Sequence, residues 1–294
     1  YEQERELSEA EITQLLESVL NARATSPVAK VVKDRLGRKL EDFDIYYSGF
    51  AAQPRADYAE LNQILQRRYP SAKEFGADLP RILQVFGFSK ERARHLADQV
   101  VVEPARGPGH ALGMLRRDDK AHLRTRFEAN GMDYKGFNIA IHELGHNIEQ
   151  IFSTIMIDHS SLRGVPNVAF TEALAFLFQA RDLAVIDMSA TGDSKTRALH
   201  EFWETRQVAG AALVDMRAWR WLDNNPNANA GQFRKAVVRI AREVWNQYFA
   251  PSFGVRDSTI LGIYSHMIES GLYLPDYPLA RLIAFQIERH FEKG

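Results

Sequence analysis

Residues 132–158 read MDYKGFNIAIHELGHNIEQIFSTIMID, and this run carries the most specific pattern in the chain. Its apolar residues recur at helical spacing as far as Ile155, which predicts one long helix. His142 and His146 are four positions apart, so their imidazoles lie one turn apart on one face of that helix. Two such rings can converge on a single cation, and the pair is typical of zinc ligands.

Glu143 lies about 100° around the helix from His142. From there its carboxylate can reach a metal-bound water without being a ligand itself, which suits a general base. In a chain of 294 residues with nine His, the five-residue pattern arises by chance on the order of one time in a hundred or less. The motif is therefore specific, but it does not complete a site, because a catalytic zinc takes three protein ligands.

A third ligand six residues after His146, as in one class of zinc proteases, would stand at position 152, where this chain has Phe152. Glu172 is the favoured ligand instead. It lies in residues 168–178, which are apolar almost all round, as expected of a buried helix. A lone carboxylate is costly to bury unless it is paired or bound to metal. A structural Glu paired with an Arg is the alternative. Small residues of the same segment would let it approach the His-bearing helix closely, namely Ala173 and Ala175.

The composition narrows the class of partner. The chain has 294 residues, 45% of them hydrophobic, and 37 basic residues against 38 acidic ones give a formal net charge of -1. This balance provides no electrostatic footprint for nucleic acid or an anionic membrane, so we expect neither partner. The absence of Cys excludes disulfides and thiolate chemistry.

The location of the protein is only weakly constrained by its sequence. No apolar run reaches membrane-spanning length, and the first residues do not resemble a signal peptide, so we expect a cytoplasmic protein. The chain begins at Tyr1 rather than Met, which leaves open a removed N-terminal segment. The oligomeric state does not follow from the sequence.

The order of predicted elements favours a single catalytic domain over residues 1–294, although two helical lobes flanking a cleft are also compatible with it. Helical periodicity and caps predict further helices at about 7–24, 27–38, 58–68, 71–85, 89–99, 194–222, 231–248 and 278–292. The domain would comprise a helical N-terminal part (about 1–99), a small sheet (about 100–128), the zinc-site helices (about 132–187) and C-terminal helices with a His and Tyr cluster (about 194–294).

Three short strands are predicted at 100–104, 110–115 and 121–127, separated by Gly-Pro and Asp-Asp turns. We expect them to form a small antiparallel sheet beside the motif helix. An edge strand near a metal can pair with an extended peptide main chain, and a merely structural hairpin is an equal alternative. Isolated His residues in strands are more often structural or substrate-contacting than metal ligands, so His110 and His122 are not predicted as ligands.

The last informative stretch is residues 264–277, which hold His266, Tyr273 and Tyr277. Peptide hydrolysis at zinc builds a negatively charged tetrahedral intermediate, which needs hydrogen-bond donors besides the metal. Tyr hydroxyls and His can supply them. Tyr beside Gly and Pro is also common in ordinary turns, so a purely structural role is the alternative.

These stretches together resemble a known family. The motif at residues 142–146, the preceding Tyr134-Lys-Gly-Phe-Asn, the later Phe170-Thr-Glu-Ala and the C-terminal His and Tyr cluster are similar to zinc oligopeptidases of the thimet oligopeptidase and oligoendopeptidase F type, over roughly residues 100–290. The resemblance implies a zincin-like, mostly helical fold with a narrow channel, one Zn²⁺ per chain and cleavage of short peptides. It implies as zinc ligands His142, His146 and Glu172, as base and proton shuttle Glu143, and as groups that bind substrate and the oxyanion His266, Tyr273 and Tyr277.

The chain departs from the family pattern in two respects. The interval from His266 to Tyr273 is longer than usual and contains Gly271-Leu272, and family members are usually about twice as long. The related metallocarboxypeptidase type with the same motif therefore remains an alternative. Two further alternatives remain: a non-catalytic protein that binds zinc or peptide, and a zinc hydrolase that acts on a non-peptide amide or ester. The intact Glu143 favours catalysis, because zinc retention alone needs no base there.

Overall fold

The computed structural model describes residues 7–51, 57–107, 109–159, 167–189, 193–264 and 266–291. The chain divides into two compact units, of which the first comprises Tyr1–Ala52 and Gly192–Phe285 and the second Gln53–Thr191 and Gln286–Gly294. The predicted single catalytic domain is a statement about cooperative folding and activity, and it stays a prediction.

Helices dominate both units, which confirms the mainly α prediction. In chain order they are α1 (Glu9–Leu20), α2 (Thr25–Leu36), α3 (Tyr58–Arg68), α4 (Ala72–Val85), α5 (Lys90–Ala97), α6 (Tyr134–Ile151), α7 (Val168–Gln179), α8 (Asp182–Val185), α9 (Ser194–Asn224), α10 (Ala230–Tyr248), α11 (Ala250–Phe253), α12 (His266–Glu269) and α13 (Asp276–Phe291). Short 3₁₀ helices occupy Asp42–Tyr46 and Ile260–Gly262, and a π-helical segment, Phe152–Met156, follows α6 directly.

The first unit is built around α9, which packs against α1 and α10. Helix α1 begins with a capping box, in which Ser8 and Glu11 satisfy each other's backbone N–H groups. Its buried residues Ile12 and Leu16 are four positions apart and face one apolar core with Trp245 of α10. This core is separate from the core of the second unit.

The second unit is built around α6, which packs against α7 and the sheet. Asp133 caps α6 by accepting a 2.7 Å hydrogen bond from the N–H of Gly136. The fully buried Phe137, Ile141 and Leu144 lie on the core face of the helix. The predicted helix over 132–158 is therefore present, although its last part is π-helical rather than α-helical.

The sheet contains β1 (Val100–Ala105), β2 (His110–Leu112) and β3 (Ala121–Arg126), in the order β1-β3-β2. Strands β2 and β3 are antiparallel, as expected, but β1 and β3 are parallel, so the prediction of a wholly antiparallel sheet was wrong. Residues 106–120 between β1 and β3 are long enough for the crossover that parallel strands need. The short strand β2 lies within this connection and pairs with the other side of β3.

Among the described residues, no helix combines the length and the apolar character needed to cross a bilayer.

Candidate metal centre

The two helices that carry the predicted ligands approach each other very closely. A Cβ atom added to Gly145 of α6 would lie 2.6 Å from Cα and 3.2 Å from N of Ala175 in α7. No side chain at position 145 fits this backbone contact without displacing a helix. The small residue predicted at 175 does allow the close approach, whereas Gly145 was not anticipated. Its contact lies one turn from His142 and from Glu172, so the close approach determines how far apart the ligands lie.

His142, His146 and Glu172 converge. The Nε2 atom of His142 lies 3.5 Å from Oε2 of Glu172, and the Nε2 atom of His146 lies 3.5 Å from Oε1 of the same carboxylate. One ligand atom from each residue lies within 4.8 Å of the other two. Glu172 is only 2% exposed, whereas the two His side chains are partly accessible.

This donor set fits a zinc ion. Ligand bonds of about 2.0 to 2.2 Å in a tetrahedral site place neighbouring donor atoms about 3.4 Å apart. The two nitrogen–oxygen separations of 3.5 Å, one to each oxygen of the Glu172 carboxylate, are close to that edge. Two imidazoles and one carboxylate also leave one tetrahedral position for a water or a substrate atom. The three residues are therefore able to hold a metal ion of this kind.

The charges of the site favour a cation. Burial raises the pKa of the Glu172 carboxyl, but the hydrogen bonds with His142 and His146 outweigh this effect and hold the pKa well below its ordinary value. Burial lowers the pKa of His146, but the contact with Glu172 opposes this effect, so the net pKa is above the ordinary value. The site thus holds an ionised carboxylate with positive charge drawn towards it.

Glu143 lies on the side of α6 that faces β2. Burial raises the pKa of its carboxyl, and the carboxylate accepts a hydrogen bond from the backbone N–H of Ala111. Just before β2, a Cβ atom added to Gly109 would lie 2.4 Å from Ile139 and 3.3 Å from Cγ of Glu143. The chain therefore passes directly over Glu143, and only a residue without a side chain fits at Gly109. The contact between Ala111 and Glu143 was not predicted from the sequence.

Two further groups on α7 contact His142. The Phe176 ring centroid lies 5.4 Å from that of His142, and the Nδ1 atom of His142 lies 3.2 Å from Oε1 of Gln179. Sequence reasoning missed Gln179. Its position seven residues after Glu172, two turns along the same helix face, is the signal that points to it.

The two histidines of the sheet lie outside this donor set. Nδ1 of His122 lies 3.2 Å from Oε1 of Glu103 on the neighbouring strand, and His110 is exposed. Among the described residues, the group able to hold a metal comprises His142, His146 and Glu172. That the strand histidines are not ligands stays a prediction.

The C-terminal cluster lies in the first unit, where His266, Tyr273 and Tyr277 form one aromatic group. Ring centroids are 5.7 Å apart for His266 and Tyr273, and 5.4 Å apart for Tyr273 and Tyr277. The preceding turn is tightly held, because the N–H of Leu272 donates a 2.9 Å hydrogen bond to buried Asp215. The assignment of these rings to substrate and oxyanion contacts stays a prediction.

The sequence matches no protein-family model, and no curated protein is significantly similar to it. Solved structures do match. A candidate oligoendopeptidase F from Bacillus anthracis str. Ames gives a TM-score of 0.52 at 14% identity, over 98% of this chain and 47% of that one. PZ peptidase A with an inhibitor gives a TM-score of 0.53 at 14% identity, over 97% of this chain and 49% of that one. A structure described as BsuCP gives a TM-score of 0.51 at 14% identity, over 99% of this chain and 56% of that one.

At this low identity the likeness shows a shared fold, which agrees with the fold that the sequence resemblance implied. This chain spans about half the length of the structures that it matches.

Proposed function

We propose that this protein is a zinc-dependent metallopeptidase that hydrolyses peptide bonds in short peptides. The observation that carries this proposal is the convergence of His142, His146 and buried Glu172 on one point, with Glu143 on the same helix and beside a sheet edge. A metal site kept only for structure has no need of a carboxylate at that position. The fold shared with an oligoendopeptidase F and with PZ peptidase A supports the same reaction class.

In the proposed mechanism His142, His146 and Glu172 would hold a zinc ion, which would supply a Lewis acid for the scissile carbonyl and lower the pKa of a water. Glu143 accepts the proton of the attacking water and returns it to the leaving amine. The N–H of Ala111, which now donates to the Glu143 carboxylate, orients that group. Tyr273 or Tyr277 would donate a hydrogen bond to the developing oxyanion, and His266 would contact substrate.

The substrate would bind along β2. This strand is at the edge of the sheet in the order β1-β3-β2, and Ala111 in it contacts Glu143. An extended peptide that pairs with such an edge gains main-chain hydrogen bonds without requiring a particular side chain. A preference for extended, short peptides over folded proteins follows from this mode of binding.

A screen of quenched fluorescent peptides tests the proposal. We expect cleavage by the zinc-loaded protein, its loss after dialysis against a chelator, and its return on addition of about one equivalent of zinc. Mass spectrometry of the products separates internal cleavage from removal of C-terminal residues. Zinc binding without cleavage of any peptide would contradict the proposal and favour a binding protein or a hydrolase of other amides or esters.

Metal content of variants tests the ligand assignment separately. His142→Ala and Glu172→Ala should each lose zinc, whereas His122→Ala, a histidine on the neighbouring strand outside the donor set, should keep it. Unchanged zinc content in both ligand variants would mean that the ligands lie elsewhere.

A further inference from the structure

Helix α6 carries a polar stripe besides its metal-binding face. Tyr134, Asn138 and His142 follow one another at steps of four residues, so they lie in one row along a helix whose opposite face is buried and apolar. The row ends against Asp182, at the beginning of α8, which is 5% exposed. A carboxylate buried this far needs hydrogen-bond donors around it.

A continuous chain of hydrogen bonds joins His142 to that carboxylate. Nδ1 of His142 lies 3.2 Å from Oε1 of Gln179. Nε2 of Gln179 donates to Oδ1 of Asn138 over 2.7 Å, and Nδ2 of Asn138 donates to Oδ2 of Asp182 over 2.8 Å. Two amide side chains thus connect the metal-ligating ring to a buried acid.

The orientation of each amide in this chain is determined at its far end. An ionised carboxylate only accepts hydrogen bonds, so Asn138 must present its NH₂ group to Asp182 and its oxygen to Gln179. Gln179 must then donate to Asn138 and turn its own oxygen towards His142. The partner of that oxygen must be a donor, which places a proton on Nδ1 of His142.

The other contacts of Asp182 agree with this role. Its Oδ1 accepts from the N–H of Leu183 over 2.6 Å, and its Oδ2 accepts from the hydroxyl of Tyr134 over 2.8 Å. Burial raises the pKa of Asp182, and the hydrogen bonds from Asn138, Tyr134 and Leu183 oppose that rise only in part, so the pKa stays above its ordinary value. These three partners are all donors, and none of them requires a proton on the carboxylate.

We infer that Asp182 is a positioning residue that acts through Asn138 and Gln179 to keep a proton on Nδ1 of His142, which leaves Nε2 with its lone pair available for the metal. The inference rests on the proposed zinc site but not on peptide hydrolysis. A metal-ligating histidine whose second nitrogen is held in this way binds metal more tightly, and loss of the outer partner typically costs about 10- to 100-fold in affinity.

The backbone makes Asp182→Asn a sharp test. The N–H of Leu183 is a fixed donor, so the oxygen of the new side-chain amide would stay on that side and its NH₂ group would face Asn138. Asn138 and then Gln179 must rotate their amides, and Gln179 would offer a donor to Nδ1 of His142. The variant should bind zinc about 10- to 100-fold more weakly than the unmodified protein.

The second variant moves the carboxylate instead of removing it. In Asp182→Asn with Gln179→Glu, the rotated Asn138 donates to the new carboxylate at 179, which again accepts from His142. Zinc affinity should return to within about threefold of the unmodified protein. The single variant Gln179→Glu places a carboxylate on each side of Asn138. The oxygen of Asn138 must then face one of these two carboxylates, which repel it. This single variant should therefore bind zinc more weakly than the double variant.

Tyr134→Phe is the matched control, because it removes a donor to the same oxygen of Asp182 without interrupting the chain to His142. Zinc affinity, measured by competition with a chelator, should change by less than about twofold. The thermal midpoint of each metal-free variant separates a folding defect from a positioning defect.

Nitrogen NMR of the metal-free protein gives the direct readout, because it detects whether Nδ1 of His142 is protonated. Above the ordinary pKa of His, at about pH 8, Nδ1 should be protonated in the unmodified protein and in the double variant, and should lose its proton in Asp182→Asn. Equal zinc affinity and an unchanged Nδ1 signal in Asp182→Asn would overturn the inference. Tighter zinc binding by Gln179→Glu than by the double variant would also overturn the inference, because the added negative charge alone would then explain the affinity. If no peptide were cleaved in the screen, zinc affinity and the Nδ1 signal would still test this inference, because neither depends on peptide hydrolysis.

Discussion

At the scale of single residues, the buried carboxylate of Glu172 supplies the negative charge that the proposed cation site needs. It is 2% exposed and lies 3.5 Å from each of two imidazole nitrogens. Taking such a charge out of water is costly unless it is paired, and here it is paired with two imidazoles that can also bind a metal. His146 carries a raised pKa for the same reason, since the carboxylate attracts positive charge.

Glu172→Gln tests this dependence with little change in shape. The amide keeps one oxygen but removes the charge, so zinc affinity should fall by more than the roughly 100-fold that loss of an outer partner costs. Chelator competition measures it. An affinity within about threefold of the unmodified protein would mean that Glu172 is a structural acid and not a ligand.

The C-terminal rings belong to the same scale. A donor that acts on the developing oxyanion contributes mainly in the transition state, so Tyr273→Phe or Tyr277→Phe should lower kcat by about 10² to 10³ and change KM less. His266→Ala should have a larger KM component, because substrate contact is the role expected for it. Steady-state kinetics on one good peptide measures both constants. If all three variants keep normal constants, the cluster only packs within its own unit.

At the scale of secondary structure, the contact between α6 and α7 positions the site. Gly145→Ala forces a Cβ atom to within 2.6 Å of the Ala175 backbone, and the helices must separate. Overpacking of this kind costs about 1 to 3 kcal/mol of unfolding free energy. Because Glu172 is one turn from the contact, zinc affinity should fall with stability.

Gly76→Ala in α4 is the matched control for that substitution. The added Cβ would lie 3.5 Å from Val102, which is an ordinary contact, and alanine favours a helix interior by about 0.5 to 1 kcal/mol over glycine. Denaturant unfolding should show stabilisation or no change, with normal zinc affinity. Equal effects of the two substitutions would show that the distance between α6 and α7 does not control the site.

Elements whose signals are local were predictable from the sequence, and contacts between distant segments were not. Helical periodicity and caps located α3 at residues 58–68 and predicted α6 and α7 within a few residues. The motif placed His142 and His146 because their geometry lies within one helix. The parallel pairing of β1 and β3 depends on which segments meet after a crossover, which strand propensity does not encode.

The outer contacts of the site were missed for the same reason. Asn138 and Gln179 are ordinary polar residues in the sequence. Their hydrogen bond forms only because α6 and α7 lie side by side. The position of Glu172 beside the two histidines was predictable, because the only acid in the first half of an apolar helix is costly to bury without a partner. Gly145 shows no such cost in the sequence, although it allows the close approach to Ala175.

At the scale of the whole molecule, tryptophan fluorescence reports whether the chain unfolds as one domain. All four Trp belong to the first unit, at positions 203, 219, 221 and 245, whereas the candidate metal centre is in the second. Zinc at about 100 times its dissociation constant should add about 2.7 kcal/mol to the free energy of unfolding. If the predicted single domain unfolds cooperatively, zinc will raise the fluorescence midpoint together with the circular dichroism midpoint.

Glu172→Ala provides the control for this experiment, because its midpoints should not respond to zinc. A fluorescence midpoint that ignores zinc while the circular dichroism transition shifts would contradict the single-domain prediction, since the two units would then unfold independently.

In the proposed mechanism Glu143 moves protons at a zinc site, and Glu143→Gln tests this role when zinc content and turnover are measured on the same sample. The amide cannot accept a proton, so we expect about one zinc per chain, a normal fold and a kcat lowered by about 10² to 10⁴. Glu149→Gln, at another half-buried acid one turn beyond His146, should keep both properties. Loss of zinc together with activity in Glu143→Gln would mean that Glu143 is a ligand or a structural group, and full activity with zinc retained would mean that it is not the base.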